Sequence, residues 1–227
     1  MDTHHLVDVD HPIFWTDPKG NHPAPFTIIT VEDVEKGRWS PADPSLRDRM
    51  RGYVRALDAS GRYPLCIWPP HCLIGSWGHN VFEPLRKALL EWEERYAMVE
   101  YVVKGTSPYT EHYSAVQADV PDDSDPSTLP NRRLIEAVKG ADTVVVAGEA
   151  SSHCLANTVR DLAVHLGEEG VPLAGQFLVG YEHLPHPDKR PHNGDIHLYG
   201  LLAVQDTGKH CDALLSENVG QVSPAAP

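Results

Sequence analysis

At 227 residues with 41% apolar content, the chain has the material for a sizeable core and fits one α/β domain spanning residues 1–227. Its 32 acidic against 19 basic side chains leave a net charge of −13, which argues against nucleic acid or anionic lipid as a partner. No run approaches the ~18 apolar residues of a membrane span, the start MDTHHLVDVD is unlike a signal peptide, and Cys66, Cys72, Cys154 and Cys211 are spaced irregularly, as reduced thiols of a cytoplasmic protein.

Residues 1–44 read as irregular, with turn signals concentrated in DPKGNHPAP. Leu46, Met50, Tyr53, Val54 and Leu57 predict a helix over 46–58. PLCIWPP is a short apolar run leading into a loop, Pro69 to Gly78. Phe82, Leu85, Leu89, Trp92 and Tyr96 recur at helical spacing and predict a helix over 81–96. VEYVVKG reads as a strand at 99–103 that ends on Lys104. Asn131 caps a short helix that Gly140 terminates. Thr143 to Ala147 is β-branched and apolar, as in a strand covered on both faces. Leu155, Val159, Leu162 and Leu166 then form one face of a helix, with Arg160 and Asp161 opposite. GVPLAGQFLVG predicts a further strand, GDIHLYGLLAV a weaker one, and 207–227 a loose tail. Strands separated by helices imply a parallel sheet with right-handed crossovers, but two strong strands are too few to make one.

Cys154 stands in or beside the first turn of a helix, at the carboxyl end of a parallel strand. Ligands bind there in open α/β sheets. Unpaired N–H groups and the helix dipole favour a thiolate and an oxyanion. Asp2 and His4, two apart in an extended segment, face one side. With His71 in a proline-stiffened loop they offer one carboxylate and two imidazoles, a set suited to Zn²⁺, Fe²⁺ or Mn²⁺. Lys104, at another strand end, is a solvated charge or a cation that lowers a neighbouring thiol's pKa.

WPPHC, KGTSPYTEHYSA and GEASSHCLANTVRDLA, in that order, together with the early DTHH, resemble the nicotinamidase branch of the isochorismatase-like cysteine hydrolases. The resemblance covers about residues 2–167. It implies a three-layer, Rossmann-like parallel sheet and hydrolysis of a small amide such as nicotinamide, a step of NAD salvage, to the acid and ammonia. Cys154 would be the nucleophile that carries a thioester, with Lys104 its cationic neighbour. Asp2, His4 and His71 would hold a divalent metal, zinc foremost. The N–H groups of Ala150 and Cys154 would form the oxyanion hole beside a cis peptide between Glu149 and Ala150, and Trp68 would wall the ring. The expected partners are the small amide and a second copy in a homo-oligomer.

The departures are specific. The family's acid at the end of its first strand has no counterpart before Asp2, and Asp8 and Asp10 follow the D-x-H triplet, out of order. The first two strands of the expected sheet have no counterpart either. A start at an internal methionine codon accounts for both, and an inactive truncated relative acting as a binding protein is the alternative. A hydrolase of the same superfamily that cleaves an ether or carbamoyl group is another.

Overall fold

A computed structural model describes residues 1–141, 144–148, 150–168, 177–180 and 202–204. Contacts divide the chain into two compact units, residues 1–112 with 117–130, and residues 113–116 with 131–227. Each is described by itself.

In the first unit the expected irregular stretch carries short ordered pieces. Strand β1 (Trp15–Thr16), strand β2 (Ile28–Ile29), helix α1 (Val31–Glu35) and strand β3 (Ser40–Pro41) precede helix α2 (Arg47–Ser60) and strand β4 (Leu65–Cys66). Pairing is antiparallel for β1 with β3 and for β2 with β4. Helix α1 starts on a reciprocal cap, in which Thr30 Oγ1 accepts from the Asp33 N–H and Asp33 accepts from the Thr30 N–H. Its sequence signal is T-x-x-D at 30–33. Helix α2 follows its apolar spacing closely. Met50, Tyr53, Val54 and Leu57 are buried, and Gly61 closes the helix at φ 68°, a left-handed conformation open to glycine. This face packs with Val9, Trp15, Ile29, Leu65 and Ile67 in the core of the unit.

Helix α3 (Glu83–Glu93) forms as expected, but none of its residues is buried. Leu85, Leu90 and Trp92 remain exposed, so periodicity located the helix without finding a partner for its face.

The expected strand at 99–103 is corrected. Its place is taken by an isolated parallel bridge between Asp2 and Lys104. The ammonium of Met1 donates to the Val102 carbonyl, and the Lys104 N–H to the Met1 carbonyl. A β-branched run becomes a strand only where a ladder continues, and here pairing is confined to residues 1–2.

The second unit holds helix α4 (Arg132–Lys139), strand β5 (Val145–Ala147), helix α5 (Ala156–Glu168), strand β6 (Phe177–Gly180) and strand β7 (Leu202–Val204). Asn131 caps α4 through the Leu134 N–H, 3.0 Å from Oδ1. Pairing is parallel for β5 with β6 but antiparallel for β6 with β7, so the described sheet is mixed rather than parallel. Val116, Ile135, Leu162 and Leu166 form a core against which Val144 and Val146 pack. Val145 is 68% exposed, so β5 is covered on one face rather than two, because the helical residues gather on the Val144 and Val146 side. Asp161, expected on the polar face of α5, is buried. No helix among the described residues is long and apolar enough to cross a membrane. The tail 207–227 lies outside the described residues.

Candidate functional site: a histidine–aspartate cluster and a cysteine turn

Residues 1–4 run extended between two segments of the first unit. On one side lies the bridge to Lys104. On the other, the His4 N–H donates to the Cys72 carbonyl (3.1 Å) and the His4 carbonyl accepts from the Ile74 N–H (3.1 Å). This pairing brings His4 beside His71, their ring centroids 4.2 Å apart. Two backbone turns, Asp8 N–H to the His5 carbonyl and His11 N–H to the Asp8 carbonyl, then fold the chain back over the same spot. The result is a cluster of His4, Asp10, His11 and His71 that offers one ligand atom each, all within 4.8 Å of one another.

The hydrogen bonds assign the imidazole tautomers. His4 Nδ1 lies 2.9 Å from an Asp8 carboxylate oxygen. His11 Nδ1 lies 2.9 Å from the His5 carbonyl, and His71 Nδ1 lies 2.9 Å from the Pro69 carbonyl. Each Nδ1–H thus faces an oxygen acceptor, as in many metal-binding histidines, while His11 Nε2 lies 3.3 Å from His71 Nδ1 and His4 Nε2 3.4 Å from an Asp2 oxygen.

The electrostatics also suit a cation. Asp8 and Asp10 are buried, Asp2 nearly so, and the ammonium among them is Lys104, 2.8 Å from Asp2. Three carboxylates against one ammonium leave two negative charges to be met. Without an ion, protons meet them. Burial opposes charge on His4, but the hydrogen bonds to Asp2 and Asp8 and the field of Asp10 outweigh it and raise its pKa to about 10. Burial raises Asp10 as well, against the pull of His4 and His71. His11 and His71 are lowered, by burial and then by the charge on His4. One Asp8 oxygen, Oδ1, is buried with no hydrogen-bond partner among the described residues. A divalent cation resolves this imbalance, and the three-imidazole, one-carboxylate donor set fits Zn²⁺, Fe²⁺ or Mn²⁺.

Of the residues singled out from the sequence, His4 and His71 meet in this cluster. Asp2 adjoins it, with one carboxylate oxygen 3.4 Å from His4 Nε2 and 2.8 Å from the Lys104 ammonium. Asp10 and His11 were missed as ligands. Their signal in the sequence is the D-H pair at 10–11, which follows the D-x-H triplet. Trp68 is half-buried, with Phe26 at 5.8 Å and His71 at 6.5 Å between ring centroids.

Lys104 is buried in the first unit, its ammonium bonded to Asp2 and to the His112 carbonyl at 2.7 Å. Gly105 makes this possible. It has φ 77°, and a Cβ there would lie 2.7 Å from the Thr3 carbonyl oxygen. Gly105→Ala is expected to cost about 1–3 kcal/mol by denaturant unfolding and to weaken divalent-ion uptake as residues 2–4 shift.

In the second unit Cys154 is half-buried, in no disulfide, and lies in a π-helical turn (Ser151–Leu155) that joins directly to α5. The Ala150 carbonyl accepts from the N–H groups of His153 and Leu155, and the Cys154 carbonyl from the Thr158 hydroxyl at 2.7 Å. Such widened turns recur at functional sites. Glu149, and with it the expected cis peptide, lies outside the described residues.

No family model matches the chain, and no curated protein matches it in sequence. Among solved structures, the nicotinamidase Pnc1p of yeast superposes with a TM-score of 0.44 and 18% identity, over 74% of this chain and 60% of that one. The chain therefore spans less than two thirds of that protein's length.

Proposed function

We propose that this chain is a metal-assisted cysteine amidohydrolase of the isochorismatase-like, nicotinamidase type, acting on a small amide. The observation that carries the metal part is the His4–Asp10–His11–His71 cluster, with each imidazole's Nδ1 held by an oxygen. The hydrolase part rests on the sequence motifs around Lys104 and Cys154 and on the turn that sets Cys154 at the start of α5. In this reading the Cys154 thiolate attacks the amide carbonyl carbon. The carbon–nitrogen bond breaks as the nitrogen gains a proton and leaves as ammonia. Water then cleaves the thioester, releasing the acid and restoring the thiol. N–H groups of Ala150 and Cys154 would hold the oxyanion, and the roles of Lys104 as the cation that favours the thiolate and of Trp68 as the wall of the ring rest on the family resemblance alone. A divalent cation bound at the cluster supplies Lewis acidity and lowers the pKa of water.

A second reading is a metal-binding protein without turnover, which needs only the four cluster residues. Ammonia release from nicotinamide by the full chain, loaded with Zn²⁺, Fe²⁺ or Mn²⁺, separates the two. The hydrolase reading expects turnover that Cys154→Ala lowers by at least ~10⁴-fold. Stoichiometric metal without Cys154-dependent ammonia release would favour the second reading, and release from carbamoyl compounds alone would move the substrate within the superfamily.

A further inference from the structure

His112 belongs to the first unit but not to the cation cluster. The Gly105 N–H donates to its Nδ1 at 3.1 Å. A backbone N–H can only donate, so Nδ1 supplies a lone pair, and the neutral ring carries its proton on Nε2. The residue is 9% exposed, yet Nε2 has no hydrogen-bond partner among the described residues. Burial, and then the ammonium of Lys104, keep the ring neutral, lowering its pKa to about 4. With its lone pair taken, the ring is neither a metal ligand nor a general base. What it offers is one fixed, desolvated donor.

Buried donors are costly to leave unmet, and their partners are acceptor atoms. An apolar ligand would leave the cost in place. The adjacent ammonium further favours an oxygen carrying full or partial negative charge.

We propose that His112 is a ligand-contact residue whose Nε2–H donates to an oxygen of full or partial negative charge on a bound small molecule, such as that of a carboxamide or carboxylate. The identity of the ligand rests on the amidohydrolase reading, whereas the orientation of the donor does not. Gly105 is the positioning residue, since its N–H holds the ring by Nδ1.

The test is nitrogen-15 NMR of the histidine rings in the full, zinc-loaded chain, with nicotinate, nicotinamide, benzoate and acetate as probes. His112 is expected as the neutral Nε2–H tautomer from pH 6 to 8, with its Nε2 resonance moving as a probe binds. His112→Leu is expected to weaken nicotinate binding by about tenfold or more. His112→Gln, which can accept from Gly105 and still donate, is expected to recover most of that loss, with zinc content unchanged in both. A charged ring, the Nδ1–H tautomer, a resonance unmoved by every probe, or wild-type nicotinate binding by folded His112→Leu would each overturn the proposal. Movement with acetate or benzoate but with neither pyridine compound would retain the contact and remove the nicotinamidase reading. Should His112→Leu fail to fold, the tautomer and its response in the unaltered protein decide.

Discussion

His4→Ala is expected to abolish stoichiometric binding of a divalent ion and to destabilise the metal-free protein. His4 is the hub of the cluster. Its Nδ1 is held by Asp8, and its ring lies 4.2 Å from His71 and 5.1 Å from His11 between centroids. Losing a ligand should cost more than losing the group that orients it, which typically costs ~10- to 100-fold in metal affinity. Asp8→Asn, which spares the ligand, is accordingly expected to bind metal about 10- to 100-fold more weakly. In the metal-free protein, His4→Ala leaves Asp8 and Asp10 buried without their nearest proton carrier. Breaking a buried ion pair in this way costs about 3–5 kcal/mol. Metal analysis, ion titration and denaturant unfolding check both halves. His22, bonded to the Trp15 carbonyl outside the cluster, supplies the control in His22→Ala. Wild-type metal content in folded His4→Ala would remove the cluster as the binding site.

The metal-free protein is also expected to lose stability on both sides of neutrality, for opposite reasons. His112 has its pKa lowered by burial and Lys104 from 6.5 to about 4. The unfolded chain therefore takes up that proton as pH falls through 6.5, while the folded protein resists until about 4. Stability is fully present above 6.5 and falls by up to about 3 kcal/mol across that window, at 1.36 kcal/mol per pH unit. His4, raised to about 10, works in the other direction. Its contribution is complete below 6.5 and is lost as pH rises toward 10. Denaturant unfolding between pH 4 and 10 should show an acid limb, to which the lowered His11 and His71 also contribute, that His112→Gln makes shallower, and an alkaline limb that it leaves alone. An acid limb equally steep in His112→Gln would contradict the assignment of His112.

The helices were legible because each carries its own local evidence. Spacing of Met50, Tyr53, Val54 and Leu57 located α2, Asn131 marked the start of α4, and Leu155 to Leu166 ran along the buried side of α5. These signals lie within one turn of the residues they govern, so no knowledge of neighbours was needed. The apolar run at 99–103 misled because strand formation depends on a partner elsewhere in the chain, and a single bridge at Asp2 and Lys104 is what forms. Exposure of Leu85, Leu90 and Trp92 on α3 has the same cause, since periodicity specifies a face but not what covers it.

For the candidate site the division runs along the same line. Residue chemistry alone marked His4 and His71 as metal donors and Cys154 as a thiol at the entrance to a helix. Tertiary structure decided the company they keep. The turns at His5 to Asp8 and Asp8 to His11 carry Asp10 and His11 back onto His4, and the pairing of His4 with residues 72–74 brings up His71 from far along the chain. Asp2, two residues from His4, sets one carboxylate oxygen 3.4 Å from His4 Nε2 and 2.8 Å from the Lys104 ammonium, so that it also supplies the counter-charge a buried ammonium needs. Spacing in sequence can nominate ligands, but chain reversal and the balancing of buried charge determine which of them converge.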